Sequence, residues 1–154
     1  MTRLCCDILK ALEGCTLAIA ESCTGGMIGA SITAVPGSSC VYKGGIISYT
    51  NAVKQQLLNV PEALLNREGA VSAPVAEAMA SGVRLLLQSD YAVSVTGLAG
   101  PGGDDFGNPV GTVYIGYADK NVVISKKLLF EGNRDQVRLQ AAKAALLLLK
   151  ENII

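Results

Sequence analysis

Leu17-Ala18-Ile19-Ala20-Glu21-Ser22-Cys23-Thr24-Gly25-Gly26 passes from an unbroken apolar run into small polar residues and paired glycines. A run without polar alternation predicts a strand buried on both faces, as in the parallel sheets of layered α/β folds. The change at Glu21 predicts a handover from strand to helix with an exposed hydroxyl at the hinge. The strand is predicted over Thr16–Ala20 and the helix over Thr24–Thr33.

Reading outward, Leu4, Ile8 and Leu12 recur at helical spacing and predict a first helix ending at Gly14. Pro36-Gly37-Ser38-Ser39 breaks the second helix, and Val41–Thr50 contains the apolar-rich strand Gly45-Ile46-Ile47-Ser48-Tyr49. A helix follows from Asn51, the expected N-cap, to about Leu58. Pro61 opens another short helix that Gly69 closes. Ser72-Ala73-Pro74 begins a longer one through Leu87, with proline in the first turn, where its missing N–H costs nothing. Tyr91–Val95 is a β-type run feeding the glycine-rich loop Thr96–Gly103. Gly111–Tyr117 and Val122–Phe130 predict a hairpin turning at Asp119-Lys120-Asn121. Asn133 caps a terminal helix, and Gln136 three residues on completes a capping-box pattern. Helices and strands interleave early and two strands pair late. That order predicts an α/β single-domain layered fold over residues 1–154, with a mixed central sheet and helices packed on it.

The 154 residues are long enough for one domain with a substantial core, at 50% hydrophobic and 17% charged content. Thirteen basic and thirteen acidic residues cancel, and no basic run exceeds Lys126-Lys127, so nucleic acid is not an expected partner. The longest apolar run, Ala144–Leu149, falls far short of the roughly 20 residues a membrane span needs. Five cysteines without C-x-x-C spacing read as reduced thiols in a cytoplasmic protein. The apolar terminal helix points to self-association, and a homo-oligomer is expected.

The chain has no histidine. A hydroxyl nucleophile must therefore be activated without imidazole, by a lysine, a tyrosinate or a carboxylate. Four constellations carry chemistry. In Glu21-Ser22-Cys23-Thr24, Ser22 stands before a helix start whose N–H groups favour a developing oxyanion, while Ser22 and Thr24 also suit plain capping. Cys23 is a rival nucleophile, since a helix N-terminus lowers thiol pKa. In Ser48-Tyr49-Thr50-Asn51-Ala52-Val53-Lys54, a strand-end tyrosine and a lysine one turn into the next helix both reach the sheet's edge. A shielded lysine serves as a base, whereas a solvated one does nothing. Thr96-Gly97-Leu98-Ala99-Gly100-Pro101-Gly102-Gly103 offers backbone amides but matches neither the P-loop nor the dinucleotide fingerprint. Arg134 and Arg138 share one face at the start of the terminal helix. They suit a phosphate, or Arg138 simply pairs with Asp135. No metal-ligand spacing occurs, and neither metal nor cofactor is called for.

Ala20-Glu21-Ser22-Cys23-Thr24-Gly25-Gly26, Pro36-Gly37-Ser38-Ser39, Ser48-Tyr49-Thr50-Asn51-x-x-Lys54 and Gly69-Ala70-Val71-Ser72 recur in a distinctive order. So do Thr96-Gly97-x-Ala99-Gly100-Pro101-x-Gly103, Pro109-Val110-Gly111-Thr112-Val113 and Gly132-x-Arg134-x-x-x-Arg138. From about Leu4 to Leu149 the chain resembles the C-terminal domain of the competence- and damage-inducible CinA family. Stand-alone members of that family are nicotinamide-nucleotide amidases, and larger ones add an N-terminal domain resembling molybdopterin-binding proteins. The resemblance implies hydrolysis of the carboxamide of nicotinamide mononucleotide to nicotinate mononucleotide and ammonia, in pyridine-nucleotide salvage. It also implies Ser22 as nucleophile, Lys54 and Tyr49 as the groups handling its proton, and Thr96 with the glycine loop as the amide or oxyanion holder. Thr24, Gly25, Gly97 and Gly100 would contact the substrate, and Arg134 and Arg138 its phosphate. The alternative is a non-catalytic nucleotide-binding or regulatory module linked to competence or the DNA-damage response.

Overall fold

The computed structural model describes residues 1–154. Six α-helices pack on a five-stranded mixed sheet in the order β2-β1-β3-β4-β5. In chain order the elements are α1 (Thr2–Ala11), β1 (Leu17–Glu21), α2 (Met27–Thr33), β2 (Tyr42–Ile47), α3 (Asn51–Leu58) and α4 (Glu62–Glu68). They continue with α5 (Ala73–Leu86), β3 (Tyr91–Gly97), β4 (Thr112–Ala118), β5 (Val123–Leu129) and α6 (Arg134–Ile153). β1 runs parallel to both β2 and β3, while β4 and β5 continue the sheet antiparallel as a hairpin.

β1 is buried along its whole length because helices cover both faces of it. Leu17 and Ile19 join Val93, Val95, Ile115 and Tyr117 under α1, α2 and α6. Ala18, Ala20 and Ala92 face the other way, toward Leu58, Val75, Met79 and Val83 on α3 and α5. Small side chains on that second face let the helices sit low. Gly82 of α5 lies so close to the Leu58 carbonyl of α3 that a methyl group there would collide with backbone.

The expected fold class is observed, and the local differences have local causes. α2 begins at Met27 rather than Thr24, because Gly25 (φ +58°) and Gly26 (φ +98°) adopt left-handed conformations that interrupt the helix. β2 stops at Ile47, two residues before the expected end at Tyr49. The Ser48 amide still bonds the Glu21 carbonyl, but Ser48–Thr50 then turns into α3. Thr50, not Asn51, caps α3, its hydroxyl accepting the Val53 amide at 3.3 Å. A short 3-10 turn, Ser38–Cys40, fills the stretch after Pro36. α6 carries the expected capping box between Asn133 and Gln136. No helix is long and apolar enough to cross a membrane.

Candidate active site

The three parallel strands deliver their carboxyl ends to one edge of the sheet, where open α/β folds commonly place their ligands. Ser22 follows β1, Ser48–Thr50 follows β2, and Leu98 begins the loop after β3. Between them opens a cleft of about 300 Å³ lined by Ser22, Tyr49, Lys54, Thr96, the loop from Gly97 and Arg134.

Lys54 sits at its base. The Thr50 cap starts α3 immediately beyond the β2 edge, so a side chain one turn later folds back over the strand ends. Its Nζ lies 3.0 Å from Ser22 Oγ and donates to the Ser48 carbonyl at 2.6 Å. The residue is 1% exposed and has no carboxylate partner. Burial disfavours the ammonium and lowers its pKa from 10.5 to about 8, partly offset by nearby Cys23. A neutral amine is thus accessible near physiological pH, directly beside a serine hydroxyl. Ser22 itself is buried rather than exposed.

Cys23 has the opposite character. Burial pushes its thiol up to about 11, so it stays protonated and is a poor nucleophile. The first amides of α2 are taken by Glu21, and the lowering by Cys23's own backbone amide, Lys54 and Arg138 does not offset the burial. The buried Glu21 carboxylate accepts the amides of Gly26 at 3.0 Å, Ile28 at 3.1 Å and Gly29 at 2.9 Å. Glu21, not Ser22 or Thr24, is therefore the cap of α2, and it does not orient Lys54. Of the amides from Ser22 to Gly29, only those of Cys23 and Thr24 have no acceptor within the chain.

Several expected residues converge here, but in different postures. Tyr49 lines the cleft, yet it is 59% exposed and its hydroxyl accepts from Arg134 at 3.1 Å rather than meeting Lys54 or Ser22. It is a wall of the cleft, not a proton carrier in this geometry. Arg134 also donates to the Gly100 carbonyl at 2.6 Å, which fixes its guanidinium at the rim. Thr96 lines the cleft with Gly97 and Gly100, and its hydroxyl donates to the Ala70 carbonyl at 2.8 Å.

Three expected contacts are not at the cleft. Thr24 and Gly25 lie against α6, with the Thr24 hydroxyl buried and unpartnered. Arg138 points its fork at the Cys23 and Thr24 carbonyls, at 3.0 and 3.2 Å, instead of into the cleft. Two lining segments were missed. Asn51 reads as a helix cap in the sequence, and Ala70-Val71 carries no chemistry of its own. Their signals are membership of the motifs Ser48-Tyr49-Thr50-Asn51-x-x-Lys54 and Gly69-Ala70-Val71-Ser72 and their place, Asn51 at the start of α3 and Ala70-Val71 in the connection leading into α5. No three His, Cys, Asp or Glu side chains gather where they would share a metal ion.

The family model described as the CinA C-terminal domain matches residues 2–153. A CinA-like protein of Thermosynechococcus vestitus is 51% identical over 142 residues, covering 90% of this chain and 34% of that protein. A CinA-like protein of Geotalea uraniireducens is 47% identical over 141 residues, covering 92% and 34%. The chain thus spans about a third of the length of the curated relatives it matches. Among solved structures, the competence damage-inducible protein A of Klebsiella pneumoniae superposes with a TM-score of 0.96 at 32% identity, covering 99% of this chain and 96% of that one. A competence/damage inducible protein of Agrobacterium tumefaciens gives 0.94 at 35% identity, covering 97% and 93%.

Proposed function

The chain belongs to the CinA C-terminal domain family, and on that premise we propose that its cleft hydrolyses the carboxamide of nicotinamide mononucleotide. The products are nicotinate mononucleotide and ammonia. The observation that carries this reading is the 3.0 Å approach of a buried, counter-ion-free lysine to Ser22.

The neutral Lys54 amine takes the Ser22 proton as Oγ attacks the carboxamide carbon. The resulting ammonium returns that proton to the departing nitrogen, so ammonia leaves and an ester remains on Ser22. A water, deprotonated by the same amine, cleaves the ester and restores the serine. The carboxamide oxygen becomes negative in both tetrahedral states, and the unbonded Cys23 amide beside Ser22 is a backbone donor free to serve it. Arg134 supplies positive charge at the rim for the phosphate, and Tyr49 a flat face for the pyridine ring. The lining contains no carboxylate to repel an anionic substrate.

The test is ammonia release from nicotinamide, its riboside and its mononucleotide. The mononucleotide is expected to turn over with the highest kcat/KM and the free base with the lowest. Binding of the mononucleotide with no ammonia over long incubation would instead support a non-catalytic nucleotide-binding module.

A further inference from the structure

Arg134 and Arg138 stand one turn apart on α6, and the structure gives them different work. Arg134 faces the cleft, whereas Arg138 does not line it. The Arg138 side chain is 28% exposed and its contact to Asp135 is a loose 3.8 Å, with Asp135 itself 91% exposed, a pair worth little. Its well-made bonds go to the backbone after Ser22, from Nε to the Cys23 carbonyl and from Nη2 to the Thr24 carbonyl.

Those two carbonyls belong to the turn between the nucleophile and α2. A trans peptide places C=O and N–H on opposite sides. Drawing the Cys23 carbonyl toward α6 therefore turns the Thr24 amide away from it. Glu21 fixes the downstream half of the same turn by accepting the Gly26, Ile28 and Gly29 amides. The Ser22 carbonyl accepts the Gly25 amide at 3.1 Å. An anion and a cation thus hold the turn from both ends, and the two amides left over are those next to Ser22. A guanidinium on a peptide carbonyl also polarises that peptide and strengthens its N–H as a donor.

We propose that Arg138 is a positioning residue for acyl transfer, gripping the Cys23 and Thr24 carbonyls so that the Ser22 hydroxyl and the adjacent unbonded amides keep their attack geometry. This rests on the reading of Ser22 as nucleophile, and it assigns Arg138 no contact with substrate. The planar fork matters as well as the charge, because lysine cannot bond both carbonyls with the same fixed geometry.

The test compares Arg138→Met, Arg138→Lys and Arg134→Met with the parent chain. The readouts are kcat, KM for the mononucleotide, competition by inorganic phosphate, thermal midpoint, and the rate at which a fluorophosphonate labels Ser22. Arg138→Met is expected to lose about tenfold to hundredfold in kcat and in labelling rate, the scale of a small misplacement of reacting groups. Its KM and phosphate competition should hold within about twofold, and added methylguanidinium should restore part of the rate. Arg138→Lys should fall between, and it carries the comparison if the methionine variant does not fold. Arg134→Met should show the reverse split, with raised KM, weakened phosphate competition and near-normal labelling.

A raised KM with unchanged labelling in Arg138→Met would overturn the proposal in favour of a ligand contact. A lowered thermal midpoint with unchanged kcat and labelling would overturn it in favour of a purely structural role. A parent chain that is labelled at Ser22 but releases no ammonia would defeat the amidase reading, and the labelling rates would then decide on Arg138. A parent chain neither labelled nor active would overturn both.

Discussion

Two polar clefts of similar size open at opposite ends of the sheet, and they treat charge in opposite ways. The far cleft, about 250 Å³, is lined by Cys15, Arg84, Asp90, Tyr91, Asp119, Lys120 and Asn121. Its two cations face two carboxylates, and each carboxylate is committed to holding the fold. Asp90 accepts the Thr16 amide and hydroxyl, both at 2.8 Å, tying β1 to β3. Asp119 accepts the Tyr117 hydroxyl and the amides of Asn121 and Val122, closing the β4–β5 turn. The cleft at the carboxyl ends holds Lys54 and Arg134 with no carboxylate at all, and Lys54 is buried. A hollow with polar walls is common. A buried cation left without a counter-ion is costly, and it is kept where chemistry uses it.

The strongest way to break this contrast is to remove the uncompensated charge. Ser22→Ala is expected to abolish ammonia release, and Lys54→Met to lower kcat by about 10³-fold or more, in the upper range of general-base effects. Retained turnover in the folded Lys54→Met variant would mean that the buried amine is only packing.

Titration sharpens the same point. Because the reactive form of Lys54 is neutral, kcat/KM should fall about tenfold per pH unit below pH 8 and level off above it. Cys23, held near 11, cannot supply that limb. Stability should move with the same proton. Below about pH 8 the folded and unfolded chains both carry it, and the cost of burying the charge is fully present. Between about 8 and 10.5 only the unfolded chain holds it, so stability rises across that window by on the order of 3 kcal/mol. Denaturant titrations of the parent and Lys54→Met at several pH values should show the rise in the first and not in the second.

The smallest effect belongs to the far cleft. Arg84→Met should leave kcat/KM within about twofold, as expected of a change remote from the site. A tenfold loss in the same ammonia assay would make the two clefts parts of one functional system.

The sequence carried much of this arrangement because much of it is local. Ser22 and Lys54 each lie a few residues beyond a strand end, and strand ends are legible from where apolar runs stop. Ser22 and Thr24 are common capping residues and suit that role in the sequence, whereas Glu21 caps α2 by reaching forward from the end of the preceding strand. For Arg138, helical spacing fixes which residues share a face of α6 but not which neighbour that face meets, so it leaves a phosphate and an Asp135 pair both open, and the phosphate role comes from the resemblance alone. The partners of Arg138 lie 115 and 114 positions away along the chain. The Tyr49 posture depends likewise on Arg134, a residue from the far end of the sequence.

Gly82 gives the molecule an unexpected vulnerability to improvement. Replacing a helical glycine with alanine is a standard route to a more heat-resistant protein, commonly worth about 0.5–1 kcal/mol. Here the added methyl would press on the Leu58 carbonyl and push α3 outward, carrying Lys54 from the same helix away from Ser22. The usual gain is therefore reversed at this position: the overpacked contact lowers thermal endurance, and turnover falls with it as Lys54 leaves Ser22. The close α3–α5 contact, remote from any reacting atom, sets the distance on which the chemistry depends.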